Sequence, residues 1–381
     1  MPRKAVRHVR IVTVSHGYGT DERMKLLEMI ASDHEVTLVA PRRIWTQVFG
    51  NFDAPRSDRV EVLANRTIPF GRSGHFLFRP SFAQYRRLRP SILQVEYEPW
   101  TPEFWSFVLP MMILYPRTPL VLYVRKNTRH LPRGPLGVLE RFLTRVGMIK
   151  VKRILAVSEK AASVFVNLGY GDTPMEIQGH MPIDGDVFRP QIADSGSRPV
   201  TVGYVGSIAP HKGIRTLVEA TERARGRLDA DIRLSLVGPM RDRDLERLLA
   251  SHNWIDYKGP LENSELPSFL SLLDVFVMPS LVLPDHEEHD SLALLEAMAV
   301  GVACIGSRSG NMPEIIQEGE NGWMFPPDDS EALANLLQRL LDDPEARKRA
   351  GASARVTALA FTSLQTLAKQ RVSTYEAVAN G

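Results

Sequence analysis

Val200-Thr-Val-Gly-Tyr-Val205 runs directly into Gly206-Ser-Ile-Ala-Pro-His-Lys212-Gly213, and a helical pattern follows over residues 214–225. An apolar β-branched run, a turn containing glycine and a helix make one strand–turn–helix unit. Further strand-like runs follow at Ile232–Val237, Val275–Met278 and 302–305, with helical stretches at 244–249 and 291–300 between them. An earlier block has the same grammar: strand-like runs at 11–14, 36–40, Ile92–Val95, Leu120–Val124 and 154–157, and helical stretches at 22–31 and 137–146. Two blocks of strand–helix alternation predict two α/β domains with parallel sheets. Turn residues and prolines cluster at 179–190 and 193–199, which sets the domains at 1–187 and 188–360. Residues 361–381 are expected to form a helix that returns toward the first domain. Parallel sheets bind ligands beyond the carboxyl ends of their strands, so the loops after Val14, Val124, Val205, Val237 and Met278 are the ones to watch. Two such domains facing each other across a cleft would hold a ligand between them.

The bulk numbers agree with this division. At 381 residues the chain is too long for one ordinary core. Its 44% hydrophobic and 24% charged content is that of a folded globular protein. One cysteine, Cys304, allows no internal disulfide, so a reducing cytoplasm is expected, and its apolar setting makes it a core residue rather than a nucleophile. No signal peptide is apparent, and no run reaches the ~18 apolar residues that span a bilayer. The longest apolar stretch, 104–114, contains Pro110 and reads as a buried helix.

The net charge of +3 conceals an asymmetry: residues 1–190 hold 28 Lys and Arg against 17 Asp and Glu, and the remainder is acidic. Either the first domain meets something anionic, such as phospholipid or a phosphorylated acceptor, or the two domains face each other with opposite charge. The basic, aromatic-bearing stretch 79–89 suits an anionic lipid surface, and equally a solvated helix face. Nucleic acid is not expected, because no recognised module accompanies the charge.

The chemistry concentrates in Glu288-His-Asp-Ser-Leu-Ala-Leu-Leu-Glu296. Carboxylates accept paired hydroxyl hydrogen bonds, and a helix start offers N–H groups and a positive dipole end to phosphate. On one helix these two residues would lie ~12 Å apart, beyond the ~5–9.5 Å of paired glycosidase carboxylates. A hydrolytic acid/base pair is therefore disfavoured. Lys212, ahead of a helix at the mouth of a sheet, would place an ammonium beside free N–H groups. Gly17 and Gly19 stand in the loop Ser15-His-Gly-Tyr-Gly-Thr, which lacks the third glycine of the dinucleotide fingerprint, so NAD is not expected. They would instead let a ligand approach the backbone. Gly310 and Asn311 offer further amides, and Pro313 suits a first helical position.

Several motifs occur in a fixed order: Gly-Ser-Ile-x-x-x-Lys-Gly, Leu236-Val-Gly-Pro, Pro279-Ser280, and Glu-x7-Glu-Ala-Met-Ala-x-Gly. Ser-x-Ser-Gly-Asn-x-Pro-Glu-Ile-Ile-x-x-Gly-x-Asn-Gly322 closes the series. Together they resemble the donor domain of retaining glycosyltransferase family 4, of GT-B fold. The likeness covers about residues 200–340 and thins to Leu168-Gly-Tyr170 and Asp184-Gly-Asp-Val-Phe-Arg-Pro190 in the first half. It implies a nucleotide diphosphate sugar, most simply a UDP-sugar, and no metal or other cofactor. By that resemblance Glu288 holds sugar hydroxyls, with His289, Asp290, Ser291 and Leu292 near sugar and diphosphate. Glu296 holds the ribose, Lys212 neutralises the departing diphosphate, and Gly238 and Lys258 lie near the base.

The implied reaction is front-face displacement with retention, moving a hexose-type sugar to a hydroxyl acceptor for a glycoconjugate, polysaccharide or glycosylated metabolite. Three departures stand out. Ser207 replaces the Arg of many members, with Arg308 or Arg23 as substitutes. His289 and Asp290 replace a common Gly-Phe. Asn127, in the loop after Val124, is the acceptor-side candidate. His286 and His289 beside the two glutamates imitate a metal site that the family pattern does not have. The alternatives are a catalytically inactive nucleotide-sugar-binding or scaffold protein of the same fold, and an epimerase without a glycosyl acceptor.

Overall fold

The computed structural model describes residues 8–18, 21–46, 50–70, 75–79, 81–129, 134–179, 181–190, 198–228, 231–284, 287–289 and 291–380. The chain divides into two compact units, one formed by Met1–Pro182 with Leu364–Gly381 and the other by Ile183–Ser363.

The first unit is built on a seven-stranded parallel sheet. Its order runs Met175–Ile177, Val151–Ala156, Leu120–Val124, Ile92–Val95, Arg10–Val14, Glu35–Pro41, Glu61–Asn65. Winding starts at Arg10–Val14, goes outward on one side and returns to fill the other, so the order reverses between Arg10–Val14 and Ile92–Val95. The central strands are buried on both faces, which is why they read as continuous apolar runs rather than alternations. Glu61–Asn65 was not anticipated; it is an edge strand with partly exposed, mixed side chains and carries little apolar signal. Two antiparallel pairs, Arg43–Thr46 with Gly50–Asp53 and Thr67–Phe70 with His75–Phe78, were also unanticipated.

One expectation needs correction here. The helix Pro102–Leu114 is buried on one face only: Phe104 and Phe107 are fully enclosed, while Leu109 and Ile113 are 51% and 65% exposed. In the stretch 79–89, the helix Phe82–Leu88 turns Tyr85 and Leu88 into the core. The Tyr85 hydroxyl accepts from Asn65 Nδ2 at 2.5 Å, and burial pushes its pKa to about 12. Phe82, Arg86 and Arg87 of the same helix are exposed.

The C-terminal helix Leu364–Asn380 belongs to this first unit and anchors through a buried polar chain. Arg371, 1% exposed, donates to Gln94 Oε1 at 3.2 Å and lies 4.3 Å from the centre of the Tyr123 ring. Tyr375 donates to the same Gln94 oxygen, and Gln94 Nε2 donates to Glu96. Glu96 also accepts from Ser15 and Tyr18, so the end of the chain is tied to the start of the first loop.

The second unit has a six-stranded parallel sheet in the order Ile255–Tyr257, Ile232–Val237, Val200–Val205, Val275–Met278, Ala303–Ser307, Trp323–Phe325. Ile255–Tyr257 and Trp323–Phe325 escaped the sequence reading because three residues are too few to show a period. The order reverses between Val200–Val205 and Val275–Met278, which pair directly. Neighbouring strands there send their chains to opposite sides, the position at which doubly wound sheets bind ligands. Among the described residues no helix is long and apolar enough to cross a membrane.

Candidate functional site

The reversal in the second sheet brings together the loops after Val205 and Met278. After Val205 the chain makes a 3-10 turn, Pro210–Lys212, and enters the helix Ile214–Arg227 through Gly213. After Met278 it passes Pro279 and Ser280, and Leu281 N donates to His211 O at 3.0 Å. The two loops approach too closely for a side chain at the joint. Gly213 has φ +67°, and a Cβ there would stand 1.9 Å from the Pro279 carbonyl oxygen.

Lys212 and Glu288 meet where these loops join. The ammonium donates to Glu288 Oε2 at 2.7 Å, and the Ser280 hydroxyl donates to the same oxygen at 2.7 Å. Glu288 is 9% exposed. Burial works to raise its pKa, but the Lys212 charge, the hydrogen bonds from Lys212 and Ser280, and His289 outweigh it. The carboxyl is held below its ordinary value of 4.5 and stays ionised. Beneath it, burial and the Glu288 charge push the Tyr204 phenol well up, so it remains a donor, and it bonds the Ser207 carbonyl at 3.1 Å.

Glu287 turns the other way and accepts the Gly310 amide at 2.9 Å. Gly310 has φ +60°, and a Cβ would lie 2.0 Å from the Glu288 carbonyl oxygen. The Ser307 hydroxyl donates to the Ser280 carbonyl and that of Ser309 to the Leu281 carbonyl. These bonds clamp the loop after Met278 from the side of the neighbouring strand.

Ser291 takes a left-handed conformation, φ 41° and ψ 35°, uncommon for a residue with a side chain. Its hydroxyl donates to Asn311 Oδ1 at 2.6 Å instead of capping the helix Leu292–Val300. That helix has no side-chain cap bond and no acidic residue in its first turn, so its first amides keep their affinity for an anion. Glu296 lies one turn in, on the same face as Leu292, and is 7% exposed. Pro313 occupies the start of the short helix Met312–Ile315, while Asn311, at its N-cap position, makes no side-chain cap bond and accepts from Ser291 instead.

The other sequence candidates fall in three places. Gly238 and Lys258 follow the strands Ile232–Val237 and Ile255–Tyr257 in the same unit; Gly238 N donates to Gly259 O, and Lys258 pairs with Asp256 at 2.7 Å. Gly17 and Asn127 are in the first unit. The Gly17 amide donates to Ser15 Oγ, and its carbonyl accepts from Arg23. Asn127 is 5% exposed and accepts from Ser158, which caps the helix Glu159–Phe165. Gly19, Asp290 and His286 lie outside the described residues. Of the two arginines offered in place of an Arg at 207, Arg308 is exposed near Glu318 at 3.7 Å and Arg23 is in the first unit. Ser280 and Glu287 were not anticipated as site residues. Ser280 was legible only as half of a Pro-Ser motif, and Glu287 was masked by the adjacent Glu288. Cys304 is fully buried and burial pushes its thiol well up, which leaves it inert.

Residues 189–357 match the family model described as glycosyl transferases group 1, so the second unit carries a domain of that kind. The chain is 30% identical over 233 residues to MMP alpha-(1->4)-mannosyltransferase of Mycolicibacterium hassiacum, covering 60% of this chain and 54% of that protein. It is 26% identical over 300 residues to sulfoquinovosyl transferase SQD2 of Arabidopsis thaliana, covering 72% and 54%. The chain thus spans about half the length of these curated relatives. Among solved structures, sucrose-phosphate synthase from Thermosynechococcus elongatus superposes with a TM-score of 0.72 at 18% identity, over 97% of this chain and 98% of that one. Anabaena Alr3699/HepE, in complex with UDP and glucose, gives 0.70 at 14% identity over 96% and 99%. The fold is that of GT-B glycosyltransferases, with two doubly wound parallel-sheet domains.

Proposed function

We propose that this protein is a retaining glycosyltransferase that takes a hexose-type sugar from a nucleotide diphosphate sugar and transfers it to a hydroxyl acceptor. The observation that carries this reading is the Lys212–Glu288–Ser280 cluster beside an uncapped helix start, inside the region that matches the glycosyl transferases group 1 model. By their names the two relatives are a mannosyltransferase and a sulfoquinovosyl transferase, which supports sugar transfer here. UDP in the Alr3699/HepE complex supports a UDP-sugar.

In this reading the diphosphate lies against the amides at Leu292 with Lys212 beside it, and Glu288 accepts hydroxyls of the sugar. Glu296 accepts the ribose hydroxyls, the base rests by Gly238 and Lys258, and Ser207 lines the phosphate side. The bond from the anomeric carbon to phosphate breaks while the acceptor oxygen bonds that carbon on the same face. The acceptor proton passes to the departing phosphate oxygen. Charge then develops on the diphosphate, where a preorganised ammonium and helix amides stabilise it. The scheme consumes only donor and acceptor and assigns no role to a metal or further cofactor. His289 and Asp290 set the choice of sugar, Gly17 and Gly19 let the donor approach the backbone, and Asn127 serves the acceptor side.

The decisive experiment is product analysis with purified protein and a panel of UDP- and GDP-sugars, beside Glu288→Ala. Transfer by the wild type with the anomeric configuration kept, and its loss in the variant, supports the proposal. Nucleotide binding by both without turnover would favour the binding-protein reading, for which Ser207 is the one observation. Conversion of the donor without any acceptor would favour an epimerase.

A further inference from the structure

The helix Pro135–Met148 in the first unit is built inside out. Gly137, Thr144, Gly147 and Met148 face the protein, while the large apolar residues face away. Leu136 is 69% exposed, Val138 59%, Leu139 52% and Phe142 60%, and Ile149 just beyond the helix is 69% exposed. At helical spacing these residues share one side, so the apolar stripe that normally seals a helix to its core points to solvent. Scattered exposed leucines are ordinary, but five large apolar side chains on one helical face form a patch of the kind that marks an interaction surface.

The charge around the patch says what covers it. Between Arg125 and Arg153 there are nine Lys and Arg residues and one acid, Glu140. Glu140 is already bound by Arg129 at 2.8 Å, whereas Arg141 and Arg145 are exposed along the flank of the apolar stripe. We infer that this helix is a docking surface for an anionic phospholipid bilayer, lying in the headgroup plane with its apolar side down and its arginines among the phosphates. A helix of 14 residues is ~21 Å long, short of the ~30 Å hydrocarbon core, so it lies on the bilayer and does not span it. The surface assigned is not the stretch 79–89, whose Tyr85 is core. The inference goes beyond the transfer reaction and does not depend on it.

The test is sedimentation of the whole protein with liposomes, without donor or acceptor, comparing phosphatidylcholine vesicles with vesicles containing phosphatidylglycerol. The wild type should partition onto the anionic vesicles and lose the interaction progressively as salt is raised. Leu139→Glu with Phe142→Glu should lower the partition coefficient by about tenfold or more. Arg141→Glu with Arg145→Glu should do the same on anionic vesicles. These side chains are exposed, so circular dichroism and melting temperature should match the wild type. Phe82→Glu, on the other basic helix, should change nothing. Four results would overturn the inference: no wild-type binding, equal binding to both lipids, binding unaffected by Leu139→Glu with Phe142→Glu, or loss through Phe82→Glu alone. A wild-type dimer by light scattering that Phe142→Glu converts to monomer would also overturn it, making the face a subunit contact.

Discussion

Glu288 and Lys212, 76 positions apart in sequence, share a 2.7 Å ion pair in which the carboxylate is buried. Their side chains are only 11% and 17% exposed, so water screens the pair little. Removing one partner from a buried pair leaves the other uncompensated, at a cost of ~3–5 kcal/mol. Loss of activity in a single variant is therefore ambiguous unless stability is measured beside it.

Glu288→Gln keeps the size of the side chain and can still accept from Ser280. Transfer should fall by about a hundredfold or more, the size of effect seen when one electrostatic group is removed from a reacting centre. Nucleotide affinity by calorimetry should change less than about tenfold, since the nucleotide is assigned to other residues. Equal losses in both measurements would mean that Glu288 holds the fold of the site rather than the sugar.

The pair also predicts a pH dependence. The folded Glu288 carboxyl titrates below 4.5, so its stabilisation is complete above that value and is lost as pH falls through the folded pKa. Urea denaturation of the wild type and Glu288→Gln, from about pH 6 to about pH 3, should show the gap between them closing on acidification. A gap that stays constant would remove this carboxylate from the acid response.

Gly310→Ala tests the clamp on the Glu287–Glu288 turn. The alanine would be left-handed and its Cβ would meet the Glu288 carbonyl. Strain and displacement of this kind cost ~1–3 kcal/mol. The melting temperature should drop, and transfer should drop further than the change in stability accounts for, because the Glu288 backbone must move. Unchanged activity would show that the turn tolerates displacement.

Arg371→Leu probes the C-terminal helix. Arg371 Nε and Nη2 find no hydrogen-bond partner among the described residues, so the guanidinium is held mainly by Gln94, the Tyr123 ring and the charge of Glu96. Leucine should destabilise the first unit by ~3 kcal/mol, because the buried Glu96 loses the favourable charge of Arg371 and Gln94 loses its donor. Adding Glu96→Gln should recover part of that loss in chemical denaturation. No recovery would show that the two residues are not coupled.

Much of this molecule was legible before its structure. Val200–Val205, Ile232–Val237 and Val275–Met278 have the bounds read from sequence, because strands buried on both faces need unbroken apolar runs. The short strands Ile255–Tyr257 and Trp323–Phe325 carry no such signal and form only because neighbours offer them an edge. The order of motifs pointed to Lys212, Glu288 and Glu296 as chemistry-bearing residues. It did not reveal that Ser280 shares Glu288 with Lys212, that Glu287 turns away to Gly310, or that Ser291 uncaps its helix to reach Asn311.

Local composition by itself determined the two α/β domains and the kind of group each loop would present, since periodicity and turn chemistry are properties of neighbours along the chain. Only the tertiary structure decided which groups meet, because the reversal of strand order beside Val200–Val205 joins loops that the sequence keeps far apart. The same is true of Pro135–Met148. Its pattern specifies an amphipathic helix, but which face is turned outward depends on the fit of Gly137, Thr144 and Gly147 against the first unit.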